Sequence, residues 1–287
     1  MNLDSAIRHS MNRLPAFPAT IHRVTGLINN PDSSLTELVE VVRLDQSITA
    51  NILRMCNSAY FGLRHKVDNV HDAIMYLGRQ NVVRAVMAAG TSRYFKSTPG
   101  YETEARELWE HAVGTALLAQ ILAERAFRHA DASLFTAALL HDIGKIVLGE
   151  FVKEKYAEIK KIVAEQSRSF LEAEEKVLGM NHATLGGMIA AQWKFPEEIR
   201  VAIAFHHRPD RLQDKTDRMS WLVHLADQGC LMLGIGRGAD GLAYDGVDGA
   251  LGLLGLTPQD YEESLARLVK EMDNAREMVG IVQATPN

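Results

Sequence analysis

Seven side chains suited to metal ligation or acid–base chemistry fall on, or at the ends of, segments that otherwise read as core: His111, His141, Asp142, His182, His206, His207 and Asp227. The run Leu139-Leu140-His141-Asp142-Ile143-Gly144-Lys145 closes a stretch from Ser133 to Ile143 that is apolar on nearly every side. A helix apolar all round is a buried helix. Burying an unpaired carboxylate costs several kcal/mol or forces the group to neutralise, so something must face His141 and Asp142. An isolated His–Asp dipeptide would read first as a hydrogen-bonded core pair, but here it is one of several such features. Imidazole and carboxylate donors suit iron, manganese, zinc or nickel, and the lack of thiolates excludes a structural zinc finger. Seven donors exceed one tetrahedral shell. They fit two divalent transition-metal ions about 3.5–4 Å apart with a carboxylate bridge, an arrangement that clamps a phosphoryl group and activates a water.

The elements that must position these residues are helices, because period-two alternation appears nowhere. In the first part, Thr20 is expected to cap a helix through Leu27 and Ile28, ended by Pro31. Ser34-Leu35-Thr36-Glu37 reads as a capping box, and Asp45 caps a helix with Ile48, Ile52, Leu53 and Met55 on one face. Gly78 divides two further helices, the second running to about Thr91. Two prolines in Leu14-Pro15-Ala16-Phe17-Pro18 keep that stretch out of regular helix. Ser97-Thr98-Pro99-Gly100 is the expected boundary between an N-terminal helical subdomain, residues 1–97, and a second helical domain, residues 98–287.

Past that boundary a long helix from about Thr103 to Phe127 carries His111. Asn181 caps a helix that His182 opens, a further helix ends in Phe205-His206-His207, and Asp227 sits mid-helix. The earlier histidines His9, His22, His65 and His71 lie among polar neighbours and read as surface residues. His224 reads as a core or interface histidine one turn from Asp227. The glycine-rich stretch Gly234 to Gly255 reads as flexible loop, since no strand precedes it as a phosphate-binding loop requires. Thr257-Pro258 opens a closing helix with Tyr261, Leu265, Leu268 and Val269 on one side.

Composition bounds the function. Hydrophobic residues are 47% and charged residues 23% of 287, an ordinary globular balance. The net charge of −5 leaves no basic excess for general nucleic-acid binding. Cys56 and Cys230 have neither metal-type spacing nor the density of a secreted scaffold. No run of 18 apolar residues and no signal-peptide pattern are found, so neither a membrane span nor export is expected, and a cytoplasmic protein is.

The order His, His-Asp, His, His-His, Asp resembles the HD metal-dependent phosphohydrolases, and His141 to Lys145 is similar to the HD-GYP form. Leu14 to Pro18, Asp45 to Ala50, Asn57 to Tyr60 and Ala73 to Gly78 resemble HDOD proteins, a regulatory branch found beside bacterial signalling domains. The resemblance covers roughly Met11 to Leu231. It implies an all-α fold, an HD-type multi-helix domain behind a packed N-terminal helical subdomain. It implies that His141, Asp142 and Asp227 hold one metal, and that Asp142 bridges to a second held by His182, His206 and His207. His111 matches the leading histidine. Glu107, four residues before it on the same helical face, matches an extra carboxylate ligand, and is equally readable as a solvated glutamate. Lys145 would hold a phosphate oxygen beside catalytic Asp142, or neutralise a helix C-terminus.

Many HDOD members lack metal ligands and act as non-catalytic modules, whereas every histidine and aspartate position of the HD-GYP pattern is filled here. Arg208-Pro209-Asp210 stands where a glutamate and a Gly-Tyr-Pro stretch accompany cyclic dinucleotide hydrolysis, so cyclic di-GMP is not the expected substrate. The expected activity is metal-dependent hydrolysis of a phosphorylated small molecule or nucleotide, with iron or manganese ahead of zinc or nickel. The alternatives are a non-catalytic module that binds signalling-protein partners and a di-iron oxygenase.

Overall fold

The computed structural model describes residues 3–30, 32–57, 65–91, 94–95, 98–129, 131–166, 168–214, 217–236, 238 and 249–283. Pro31, Ser58 to Gly62, Ser97 and residues 239–248 of the glycine-rich stretch, on which some of the sequence expectations fall, lie outside the described residues. Among the described residues there is no strand, only an isolated bridge between Thr98 and Thr103. The helices are α1 (Leu3–Asn12), α2 (Ala19–Asn29), α3 (Leu35–Arg43), α4 (Gln46–Cys56), α5 (Val70–Thr91), α6 (Ala105–Phe127) and α7 (Ala132–Leu140), then α8 (Ile143–Gln166), α9 (Phe170–Leu178), α10 (His182–Gln192), α11 (Glu197–Phe205), α12 (Arg218–Met232), α13 (Ala250–Leu253) and α14 (Pro258–Gln283). The chain is therefore all-α, as the absence of alternation requires. It divides into two compact units.

One unit comprises Phe17–Arg93, Asp131–Ser133 and Val269–Asn287. Its core is made by Ile21, Val24, Leu38, Val42, Ile52, Ile74, Val82 and Val86, apolar residues at helical spacing on α2 to α5. Ser34 and Glu37 form the expected capping box, and Asp45 Oδ1 accepts from the Ile48 N–H at 3.1 Å. Gly78 has φ 72° and ψ 163°, which breaks α5 where the sequence places a division. Helix α2 begins at Ala19 behind Pro18, which has no side-chain acceptor, so Thr20 lies inside the helix and is not its cap. Asn57 fastens to Val67 by two reciprocal hydrogen bonds of 2.6 and 2.7 Å.

The second unit comprises Met1–Ala16, Tyr94–Ala130 and Leu134–Leu268 and contains all seven singled-out residues. Helix α6 is buried from Leu108 to Ala123 apart from half-buried Glu110, and Gly114, Thr115 and Gln120 are buried with the apolar residues. It packs on α12, α10 packs on α11 and on α8, and α8 packs on α9. The stretch Ala132–Gln166 is long and apolar enough by length and composition to cross a membrane, but 94% of its most apolar window is buried inside the fold. In the closing helix α14, Leu268 is buried while Val269 is 46% exposed, so Val269 does not belong to the packed side expected for it.

Glycine sets how closely α8 approaches α10. A Cβ on Gly144 would lie 2.0 Å from the His182 carbonyl oxygen and 2.9 Å from the Gly186 nitrogen, and one on Gly186 would lie 2.9 Å from Ile203 Cγ2. Backbone atoms cannot swing aside as a flexible side chain can, so this contact admits only glycine. It brings the first residue of α10 against the turn between α7 and α8. Gly144→Ala is expected to destabilise the fold by about 1–3 kcal/mol or more, the usual cost of overpacking. Gly26→Ala, in α2 with nothing within 4 Å of its Cβ position, should instead be neutral or stabilise by up to about 1 kcal/mol through helix propensity. Urea unfolding midpoints of the two variants check this, and equal midpoints would contradict the packing argument.

Candidate metal centre

Each of the seven residues sits where a helix starts, stops or turns its buried face inward. His111 is the seventh residue of α6, nearly two turns in, and Asp227 lies in the middle of buried α12. His141 and Asp142 are the two-residue turn between α7 and α8. His182 is the first residue of α10, behind Asn181, whose side chain accepts from the Thr184 N–H at 2.8 Å. His206 and His207 follow the last residue of α11. All seven are buried, with His207 the most exposed at 7%.

The helices bring them together as two adjoining groups. Asp142, His182, His206 and His207 offer donor atoms within 4.8 Å of one another, and so do His111, His141 and Asp227. Asp142 faces both groups. Its Oδ1 is 3.5 Å from His182 Nε2 and 3.8 Å from His206 Nε2, and its Oδ2 is 3.4 Å from His141 Nε2 and 3.7 Å from His111 Nε2. Lys145 Nζ lies 2.8 Å from Asp142 Oδ2 and 5.5 Å from the centre of the Tyr101 ring.

The outward-facing ring nitrogens determine what points inward. Nδ1 of His111 meets the Ile235 carbonyl at 3.0 Å, that of His141 the Ala138 carbonyl at 2.7 Å, and that of His206 the Ile203 carbonyl at 2.7 Å. His182 Nδ1 meets Glu174 Oε2 at 2.8 Å. A carbonyl or carboxylate oxygen only accepts, so each Nδ1 carries a proton and donates, and each ring, when neutral, turns an Nε2 lone pair to the centre. His182 Nε2 then faces His207 Nε2 at 3.0 Å, and His111 Nε2 faces Asp227 Oδ1 at 3.0 Å. Paired acceptors at that distance need a proton or a cation between them.

Among the described residues, His141 Nε2, His206 Nε2, Asp227 Oδ2 and both Asp142 oxygens have no hydrogen-bond partner, while Lys145 makes an ion pair with Asp142 Oδ2. An orphaned buried polar atom costs about 1–3 kcal/mol, and these converge on one region. Burial opposes charge on both carboxyls. Lys145 and His141 overcome it at Asp142, and the close rings of His111 and His141 overcome it at Asp227, so both stay well below the usual carboxylate range. Burial also opposes a proton on His141, but Asp142 and Asp227 outweigh it and draw that ring up to about 10. Burial and then His141 push His206 down to about 3, and burial with His206 holds His207 low. A cluster whose two carboxylates draw a proton onto a buried ring is well suited to a divalent cation in its stead. The donor set, its tautomers and its orphaned atoms all fit metal.

Glu107 is the exception to the expected set. It is exposed, and its carboxylate accepts from the Glu104 N–H at 3.0 Å in the first turn of α6. Capping claims it, and the structure does not bring it to the cluster. His224 is buried, as expected of a core histidine, and its Nδ1 meets the His206 carbonyl at 2.7 Å. Three contributions escaped sequence reasoning. Glu174 and Tyr101 lie behind His182, and the Ile235 carbonyl lies behind His111. Ile235 belongs to the stretch read as flexible loop, where Gly236, at φ 66°, passes so close that a Cβ would lie 2.4 Å from His111 Cβ. The spacing Phe170, Glu174, Leu178 on the buried side of α9 was the signal available for Glu174.

The structure is thus an all-helical fold, among the described residues, around a buried His/Asp cluster that fits a metal. The HDOD domain model matches residues 14–209, and the chain belongs to the HDOD family. An HDOD domain protein of unknown function from Geobacter sulfurreducens is 26% identical, with a TM-score of 0.72 over 98% of this chain and 97% of that one. A candidate phosphohydrolase from Shewanella amazonensis shares the fold at 23% identity, with a TM-score of 0.70 over 96% and 97% of the two chains. An uncharacterised protein of Treponema pallidum is 26% identical over 206 residues, 71% of this chain, and the match spans 40% of that longer relative.

Removing the shared carboxylate should therefore differ sharply from removing Glu107. At a hundredfold excess over its dissociation constant, a divalent cation is expected to stabilise the wild type by about 2.7 kcal/mol. Asp142→Ala should lose this stabilisation, and Glu107→Ala should keep it. Thermal unfolding with manganese or after chelation checks both, and a Glu107 variant that loses the response would restore Glu107 to the ligand set.

Proposed function

We propose that the protein is a cytoplasmic, metal-dependent hydrolase of small phosphoesters, with a phosphorylated small molecule or nucleotide as substrate. The observation that carries this reading is Asp142, whose two oxygens face separate groups of donors at 3.4 to 3.8 Å. His182, His206, His207 and Asp142 would hold one divalent ion, and His111, His141, Asp227 and Asp142 the other. Such ions, iron or manganese before zinc or nickel, supply positive charge against a phosphoryl group and make a water acidic enough to be a nucleophile near neutral pH.

The chain's own part is to shape and charge the site around them. The Nδ1 contacts fix the rings so that reorganisation on binding is small. Lys145, 93% buried beside Asp142, carries an ammonium that offsets charge on a phosphoryl oxygen. Near-complete burial of the cluster admits a small phosphoester more readily than a cyclic dinucleotide, in keeping with Arg208-Pro209-Asp210 after the two histidines. A basic surface cavity begins at Arg208, lined also by Arg168, Lys176 and Arg211 with Glu172 and Glu175, and it suits an anionic substrate.

The same burial favours a second reading, a signalling module that holds metal for structure and acts through protein partners. Kinetics separate the two. With two ions per chain verified by elemental analysis, a phosphoester and nucleotide panel should reveal turnover, and Lys145→Ala should lower kcat by about 100-fold with ions still bound, the scale for losing one charge-stabilising group. Fast cyclic di-GMP hydrolysis would refute the substrate class. Absence of turnover across the panel, with both ions present, would favour the module.

A further inference from the structure

Four inward-facing imidazoles are held from behind, and one is held differently. His111, His141 and His206 lean on backbone carbonyls. His182 leans on Glu174, a carboxylate with no exposed surface. Glu174 Oε2 accepts from both the His182 N–H at 2.9 Å and its Nδ1–H at 2.8 Å. Glu174 Oε1 accepts from the hydroxyl of Tyr101, itself fully buried. Tyr101 is in turn fixed by packing. Its ring lies 5.7 Å from that of Phe170 and 6.1 Å, edge on, from that of His182. Its neighbour Gly100 touches α8 so closely that a Cβ would meet the Gly149 carbonyl at 2.2 Å.

A carboxylate that accepts from the far N–H raises the basicity of an imidazole more than a neutral carbonyl does, and so strengthens its bond to a cation. The Tyr101 hydroxyl and the His182 N–H keep that carboxylate satisfied in a place where an unpaired charge would not be tolerated. The other group of donors has no such support, since the described Nδ1 contacts of His111 and His141 are both to carbonyls. It also shares Asp142 Oδ2 with the ammonium of Lys145, which competes for that oxygen.

We propose that Glu174, seated by Tyr101, is a positioning residue that fixes the His182 tautomer and makes the two half-sites unequal, so that Asp142, His182, His206 and His207 take up the first divalent ion and His111, His141 and Asp227 the second. This rests on the reading of the cluster as a two-ion site. The protein then passes through a one-ion state over a range of metal concentration, and the second ion sets when the full site exists.

The test uses the full chain stripped with chelator and titrated calorimetrically with manganese. The wild type should show two classes of site. Glu174→Gln should weaken the tighter class by about 10–100-fold, the range for losing such a supporting partner, and leave the weaker class in place. Tyr101→Phe keeps the ring and should shift the same class in the same direction by a smaller factor, which preserves the test if Glu174→Gln does not fold. Nitrogen NMR of the metal-free protein gives an independent readout. The His182 ring should be the Nδ1–H tautomer in the wild type and a mixture in Glu174→Gln. An unchanged tautomer, or equal weakening of both classes, overturns the proposal while leaving the two-ion reading intact. Failure of the wild type to bind manganese, with the tautomer shift observed, overturns the two-ion reading and the order of filling with it.

Discussion

Two buried carboxylates, Asp142 and Asp227, govern the second unit. Taking a charge out of water costs several kcal/mol even after relaxation, and a core as apolar as that between α6, α8, α10 and α12 offers little to repay it. One ammonium, from Lys145, reaches Asp142. The rest of the compensation must come through imidazoles, which can hold a proton or direct a lone pair at a cation. The fold devotes helix ends to this purpose. His141, His206 and His182 all stand at termini, where a free carbonyl, or a carboxylate brought to the first turn, can fix the outer ring nitrogen.

Glycine makes those termini meet. Gly144 and Gly186 let α8 and α10 touch backbone to backbone, and Gly236 lets the residues after α12 pass over His111. These positions carry the site without contributing a donor atom. Their role is steric, and an added methyl group at any of them would separate elements whose polar groups converge in the cluster.

The helical class and most of the cluster were legible because a histidine or aspartate in an apolar helix is conspicuous. His111, His141, Asp142, His182, His206, His207 and Asp227 all stand out in this way, and the structure gathers them. Glu107 was readable either way, because its spacing from His111 placed it on the right face, while its position in the first turn gave it a competing backbone donor. Glu174 was overlooked for the opposite reason. Its neighbours Glu172, Glu175 and Lys176 make the segment read as surface, and only the apolar residues four before and four after it reveal its direction. The Ile235 carbonyl had no residue signature at all, since any amino acid could supply it.

The donors are strung along more than a hundred residues, from His111 in α6 to Asp227 in α12, with Ile235 behind them. A chain made from its N-terminus therefore carries isolated pieces of this pocket until α12 has emerged and docked. Contacts this distant in sequence form late in folding, after the loop-closure entropy of the intervening segments has been met. Until then Asp142 and its histidine neighbours remain hydrated and weakly chelating, like any loose polar segment. On the two-ion reading, metal selection would consequently be made by the finished protein and not by the nascent one, from whatever ions its surroundings then supply.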